Sequence, residues 1–334
     1  MISIIALLIG ILLPALGSAR RTAQAIATAA NMRGVGQTNA SYNGENDNYT
    51  PSSYVYGQDR EGFGWNVADQ LDDNPEPING YVHWSMFLFD GLDTAGEAFE
   101  GPAVTNNGAP RTNPGPNEEN WEPGQRNDQG QEYSPDLNQA VDRQLPRVAF
   151  GGNGAIFPRN KFSDDVAGER KNRLVKVSTL SNTSEIIFAA EYFDGKNDWR
   201  SISTSSGSET PAEGDIGNFT VKSHHPITPF FGFSSGFDVL NQTSAGTDPA
   251  FAYQDPESIL DDDDPAKLDS SQVDGGLNMV GQPHSGKGNF LFVDGHVDQF
   301  TVVETIERRL WGERFYSLTG GRDTFVSRDR FADD

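Results

Sequence analysis

Residues 284–297, HSGKGNFLFVDGHV, hold two of the chain's five histidines, His284 and His296, and one acid, Asp294. Imidazole beside carboxylate is the composition of a general-base dyad, and with a third donor it is that of a metal site. The spacing from His284 to Asp294-Gly295 is H-x9-D-G. Geometry opposes a shared site. Asn289–Val293 is β-prone, and five extended residues at about 3.3 Å each part its ends by about 16 Å. His284 precedes one end and Asp294 follows the other, so only a sharp fold-back at Ser285–Gly288 would join them. A structural role is expected instead: Asp294-Gly295 makes a turn, and His284 ties down a loop by hydrogen bonds. His284 is then expected to matter less to stability than Gly295.

Other candidates are weaker. Adjacent side chains such as His224-His225 rarely converge on one ion. Asp261–Asp264 (DDDD) and residues 45–48 (ENDN) supply the oxygen ligands that calcium uses, without the glycine and distal glutamate of an EF-hand. Calcium is therefore the one cofactor left open; no catalytic, cofactor-binding or metal-ligating residue is assigned. Cysteine is absent, which excludes thiol catalysis, disulfides and thiolate metal sites. No GxSxG, P-loop, HExxH or dinucleotide fingerprint occurs, so no enzyme is expected. Residues 1–40 contain Arg20, Arg21 and Arg33 and no acid. All 48 acids and 22 of the 25 basic residues lie beyond, a formal balance of −26. Such a surface repels nucleic acid and anionic membrane, and no nucleic-acid partner is expected.

The elements that must position these residues read as follows. Asn289–Val293 and His296–Val303 form a hairpin about the two-residue turn Asp294-Gly295, with Val293/His296, Phe292/Val297 and Phe290/Gln299 opposed. Thr305–Trp311 is a short helix. Arg147–Phe150, Leu174–Val177 and the buried Glu185–Ala190 are strands, and Tyr81–Phe89 is a helix or a strand. Residues 101–138 and 232–282, rich in Pro, Asn, Gly, Ser and Asp, are surface loop insertions, with Trp121 tucked against the domain.

The chain opens MISIIALLIGILLPALGSARR. Of residues 1–16, all but Ser3, Gly10 and Pro14 are apolar. Met1–Ala19 as a helix would span about 28 Å, close to the roughly 30 Å of a bilayer core. A cleaved signal would need a basic lead-in; a buried core helix is an alternative, but a chain start apolar on every face is unusual for a soluble domain. A membrane helix continuing into a soluble one, kinked at Pro14 and fraying near Asn43-Gly44, fits best. Met32, Val35 and Tyr42 recur on one face, and Ala23, Ile26, Ala30 and Val35 are expected to cover the sheet.

ISIIALLIGILLPALGSAR, followed by NMRGVGQTNASYNGENDNYTP, resembles the N-terminal helix of bacterial type IV pilin-like and type II secretion pseudopilin-like proteins. Pro14 matches the family's helix proline. Asn31, Met32, Arg33, Gly36, Tyr42, Asn46, Asp47, Tyr49 and Pro51 match a recurrent segment of one large pseudopilin-like family of unassigned function. The H-x9-D-G spacing matches that family's C-terminal signature. The structural motif residues are thus Pro14, His284, Asp294 and Gly295. The resemblance implies an α+β fold: a spine helix over residues 1–43, packed on the antiparallel sheet of a globular domain over 44–334. It implies an inner-membrane anchor with the domain periplasmic or extracellular. The implied partners are copies of itself or other pilin-like subunits, met through the helix. The family's leader, cleavage site and early glutamate are expected upstream, where a prepilin peptidase would act before N-terminal methylation. The alternative is a membrane-tethered extracytoplasmic binding protein for glycans or cations.

Overall fold

The computed structural model describes residues 2–56, 81–89, 93–123, 131–136, 140–157, 174–192, 226–232, 251–261, 264–268, 277–316 and 324–332, with Gln125, Asn127 and Ser223 between them. In chain order the helices are α1 (Ile2–Glu45), α2 (Trp84–Phe89) and α3 (Val302–Glu307). The strands are β1 (Tyr54–Tyr56), β2 (Tyr81–His83), β3 (Phe150–Gly152), β4 (Ile187–Glu191), β5 (Phe230–Gly232), β6 (Phe251–Gln254), β7 (Leu260–Asp261), β8 (Asp264–Leu268), β9 (Gly288–Phe292), β10 (Val297–Phe300), β11 (Arg314–Phe315) and β12 (Thr324–Ala332).

The fold is α+β, as expected from the sequence. Helix α1 continues through Pro14, whose ring removes one backbone donor. It stops where Asp47 (φ 50°) and Asn48 (φ 68°) turn left-handed, a conformation that short polar side chains tolerate. The Asn48 N–H then reaches back to the Asn43 carbonyl at 2.8 Å. The buried stripe of α1 is Ala25, Thr28, Met32, Val35, Asn39 and Tyr42, at steps of three and four. Met32, Val35 and Tyr42 sit where the sequence placed them. Ala23, Ile26 and Ala30 do not: all three are exposed. Each residue turns the helix about 100°, so Ile26 swings off the face of Ala25 while the small Ala25 and polar Thr28 occupy the seam.

That seam lies over β9 and β10. These belong to a four-stranded antiparallel sheet in the order β10-β9-β4-β3, with β4 buried along its whole length. A second sheet, β11-β12-β6-β5, is mixed, because β12 runs parallel to β6. Trp84, Phe99, Phe157 and Phe188 meet edge-on or tilted under the first sheet. Tyr81–Phe89 is both of its alternatives, a strand and then a helix. Leu174–Val177 is not a strand; Lys176 makes one bridge to Tyr49 and a 3-10 turn follows. Helix α3 starts three residues early because Thr301 and Glu304 form a capping box at its N-terminus.

The insertions are less peripheral than expected. Val104, Ala109, Thr112 and Asn113 are buried, and Ala109 and Pro114 bridge to Val148 and Val141. Trp121 does tuck in, donating its indole N–H to the Gly115 carbonyl at 2.9 Å. Within 232–282, β6 supplies an inner strand of the second sheet.

Residues 3–16 of α1 are exposed throughout and contribute nothing to this core. Deleting residues 1–19 should therefore give a soluble, folded domain. Circular dichroism and gel filtration check this, and aggregation or loss of structure would show that the first half of α1 supports the fold.

Candidate functional site: the seat of the long helix

The two ends of H-x9-D-G fall at opposite ends of β9. At one end, the His284 N–H donates to the Lys287 carbonyl at 2.9 Å, closing a turn through Ser285 (φ 59°) and Gly286 (φ 84°). This turn carries the buried His284 ring onto Glu191, the last residue of β4, with Nε2 2.9 Å from Oε1. The second Glu191 oxygen accepts the Asn289 backbone N–H at 2.6 Å. With Nε2–H donating to the carboxylate, both oxygens are satisfied.

Asn289 then passes the constraint to the helix. Its side-chain NH2 donates to the Ala25 carbonyl of α1 at 3.2 Å, and its oxygen accepts from Gln299 at 3.0 Å. Asn289 is itself fully buried. A polar chain thus runs from the His284 turn, through β4 and β9, to α1 and β10.

The other end of β9 is a hairpin turn, but not the two-residue one expected. Leu291 pairs with Val297 and Asn289 with Gln299, one residue off the expected register. Phe292 and His296 close a three-residue loop: the Phe292 N–H donates to His296, and the Gly295 N–H to Phe292, both at 2.9 Å. Gly295 has φ +92°, so this is a tight turn followed by a left-handed glycine bulge. Asp294 Oδ1 accepts the His296 backbone N–H at 3.1 Å and meets His296 Nδ1 at 2.6 Å, which stiffens the turn from outside. The His296 ring stacks on Phe292 at 4.2 Å. Helix α1 presses on this turn through Gly36. A Cβ there would sit 3.0 Å from Leu291 Cδ1 and 3.3 Å from Gly295 Cα.

The structure therefore separates His284 from Asp294 and gives each another partner. Glu191 is the residue that sequence reasoning missed. Its signal was an acid ending a wholly apolar strand, IIFAAE, where a buried carboxylate must find donors. Pro14 stands far from this seat, inside the exposed half of α1. His224 and His225 lie outside the described residues, as do Asp262 and Asp263 between β7 and β8. Residues 45–48 form the end of α1 and its turn. Among the described residues, no three His, Asp or Glu side chains gather in a way that could hold a metal ion. No family model matches the chain, and neither a curated protein nor a solved structure matches it at a significant level.

Of the described histidines, His83 on β2 is buried apart from this network. Its Nδ1 accepts the Ser85 backbone N–H at 3.1 Å. Burial pushes its pKa down to about 3, against a smaller opposing effect of a backbone hydrogen bond to Ser223.

The Gly295 site is open, so Gly295→Val meets only the backbone cost of a β-branched residue at positive φ, about 1–2 kcal/mol. His284→Ala leaves a buried carboxylate without its imidazole and should cost more, about 3 kcal/mol, reversing the order expected from sequence; urea unfolding of both variants measures this. For His83, the unfolded ring takes up a proton below about pH 6.5 while the native ring stays neutral down to about 3. Stability from this group is full above pH 6.5 and falls as pH drops, by about 2 kcal/mol at pH 5. His83→Asn keeps an acceptor and should flatten that part of the stability–pH curve.

Proposed function

We propose that the chain is a pilin-like, pseudopilin-like structural subunit, anchored in the inner membrane by the first half of α1 and assembling with like subunits through that helix. The globular domain would face the periplasm or the exterior, and the assembly would serve protein secretion. The observation that carries this reading is the exposure of α1. Ile4, Ile5, Leu7, Leu8, Ile9, Ile11, Leu12, Leu13 and Leu16 are 49–68 % exposed, on all sides of one continuous helix. Burying that many aliphatic side chains is worth on the order of 10–20 kcal/mol, comparable to the whole stability of a domain. Water is not their environment; lipid or neighbouring helices are.

The α+β fold with a spine helix over an antiparallel sheet supports the same reading, as do the two sequence signatures that meet at the helix seat. Gly36, from the N-terminal signature, touches Gly295, from the C-terminal one. The seat supports a structural role rather than catalysis, because its carboxylate and imidazole are buried against each other.

Lipid and neighbouring helices bury the same surface, so packing detail decides assembly. Gly10 has open space around it, and Gly17 meets only the Arg21 side chain. Small residues there let helices approach closely. Replacing both with leucine should leave membrane insertion intact and weaken filaments. The acidic domains should make assembly salt-dependent, favoured as the screening length shortens toward about 8 Å. Negative-stain microscopy of the natural gene product across a salt series tests both. A monomer at every salt concentration would shift the reading to a tethered binding protein.

A further inference from the structure

A cleft of about 270 Å³ opens between α1 and the β9–β10 hairpin, lined by Arg21 and Arg33 of the helix and by His284 and Asp298 of the hairpin side, among others. Its wall is partly apolar, formed by Ala29 and by Ile26, which is 66 % exposed. Among the described residues neither guanidinium has an ion-pair or hydrogen-bond partner. The His284 side chain is 4 % exposed, yet its Nδ1 also lacks a partner. A buried ring nitrogen without a partner is costly and marks a place where a ligand or water group belongs. With Nε2–H given to Glu191, Nδ1 accepts a hydrogen bond. Asp298 Oδ1 accepts its neighbour's N–H, and the carboxylate retains capacity for more donors. The cleft thus asks for a ligand with an anionic group, hydroxyl donors and an apolar portion together.

We propose that it binds the headgroup of an anionic glycerophospholipid. The phosphate pairs with Arg21, the headgroup hydroxyls donate to His284 Nδ1 and Asp298, and Arg33 raises the local potential from the far end. This rests on the reading that residues 2–19 lie in the membrane. Arg21 follows Ala19 by two residues, about 3 Å along the axis, which puts it at headgroup depth. His284 lies at the same end of the cleft, since the Asn289 beside its carboxylate partner bonds to Ala25. The chain's net charge of −23 repels free anions and anionic surfaces alike, but residues 1–40 carry three arginines and no acid, so the membrane-facing edge of the cleft presents positive charge to headgroups held beside it by the anchor.

The test uses the full chain in nonionic detergent, titrated calorimetrically with short-chain phosphatidylglycerol, short-chain phosphatidylcholine and inorganic phosphate. Phosphatidylglycerol should saturate at least tenfold tighter than the other two. Arg21→Gln should weaken it tenfold or more and Arg33→Gln several-fold. Arg20→Gln, which changes the neighbouring charge outside the cleft, should change it little. Equal binding of the two lipids, or equal losses in the Arg20 and Arg21 variants, would overturn the site. Phosphate binding as tightly as phosphatidylglycerol would overturn the lipid as its source. Flotation with vesicles reads the anchor separately: no flotation defeats the membrane reading, while flotation without lipid preference in the titration defeats only the cleft.

Discussion

Everything in this molecule depends on how a 44-residue helix is seated on one hairpin. The buried stripe of α1 is narrow and rich in small or polar residues, with Met32, Val35 and Tyr42 as its large apolar members. Burying each is worth about 1.5–3 kcal/mol, enough to hold the helix down but too undirected to fix where along its length it sits. Position is set at the two ends of β9. Asn289 reaches the Ala25 carbonyl at one end, and Gly36 admits the Gly295 turn at the other. Eleven residues of helix, about 16 Å, span nearly the same distance as the strand beneath them. Further ties run from Gln24 to Pro102 and from Asn31 to Glu97 and Glu100, so the opposite flank of the helix is held too.

The buried Glu191–His284 pair acts through this geometry. Two groups taken from water gain little net stability over an apolar pair of similar volume. What the pair adds is direction. Glu191 orients the Asn289 backbone with one oxygen and the His284 turn with the other. Because a one-residue slip of β9 would turn Asn289 away from α1, the carboxylate fixes the strand register on which the helix depends. Gly288, next to Asn289, brings the chain close to Gly281, where any side chain would run into the Gly281 carbonyl oxygen. Backbone approach and polar bonding here specify the same register.

How far this was legible in the sequence follows from what kind of signal each part carries. The apolar run, the β-prone stretches around Asp294-Gly295 and the buried strand expected over Glu185–Ala190 are local patterns, and all three appear in the structure, the last shifted to Ile187–Glu191. The hairpin loop was misjudged by one residue because Asp-Gly serves both a two-residue turn and a three-residue turn ending in a left-handed glycine; the closing pair Phe292–His296 decides between them. The face of α1 was misjudged because a run rich in alanine offers several apolar stripes, and the chosen one contains Thr28 and Asn39. Glu191 is 93 residues from His284 in sequence, so their pairing is a product of strand order rather than of any spacing. Within the motif itself, the rise of an extended chain suffices to part His284 from Asp294.

The glycines of α1 show why its two halves answer to different constraints. Gly36 is crowded by its own fold, between Leu291 and the Gly295 backbone, and only the lack of a side chain lets the helix lie so close. Gly10 meets nothing within 4 Å, and Gly44 likewise sits in open space. Within a helix, glycine costs about 1 kcal/mol relative to alanine. At Gly36 the fold of this chain offsets that cost through close packing. At Gly44 the helix is ending, where flexibility is cheap. At Gly10 neither reason applies, because the surrounding side chains are leucine and isoleucine exposed on every side. A glycine in mid-helix, amid an apolar surface that its own chain leaves bare, has no explanation in the packing of this chain.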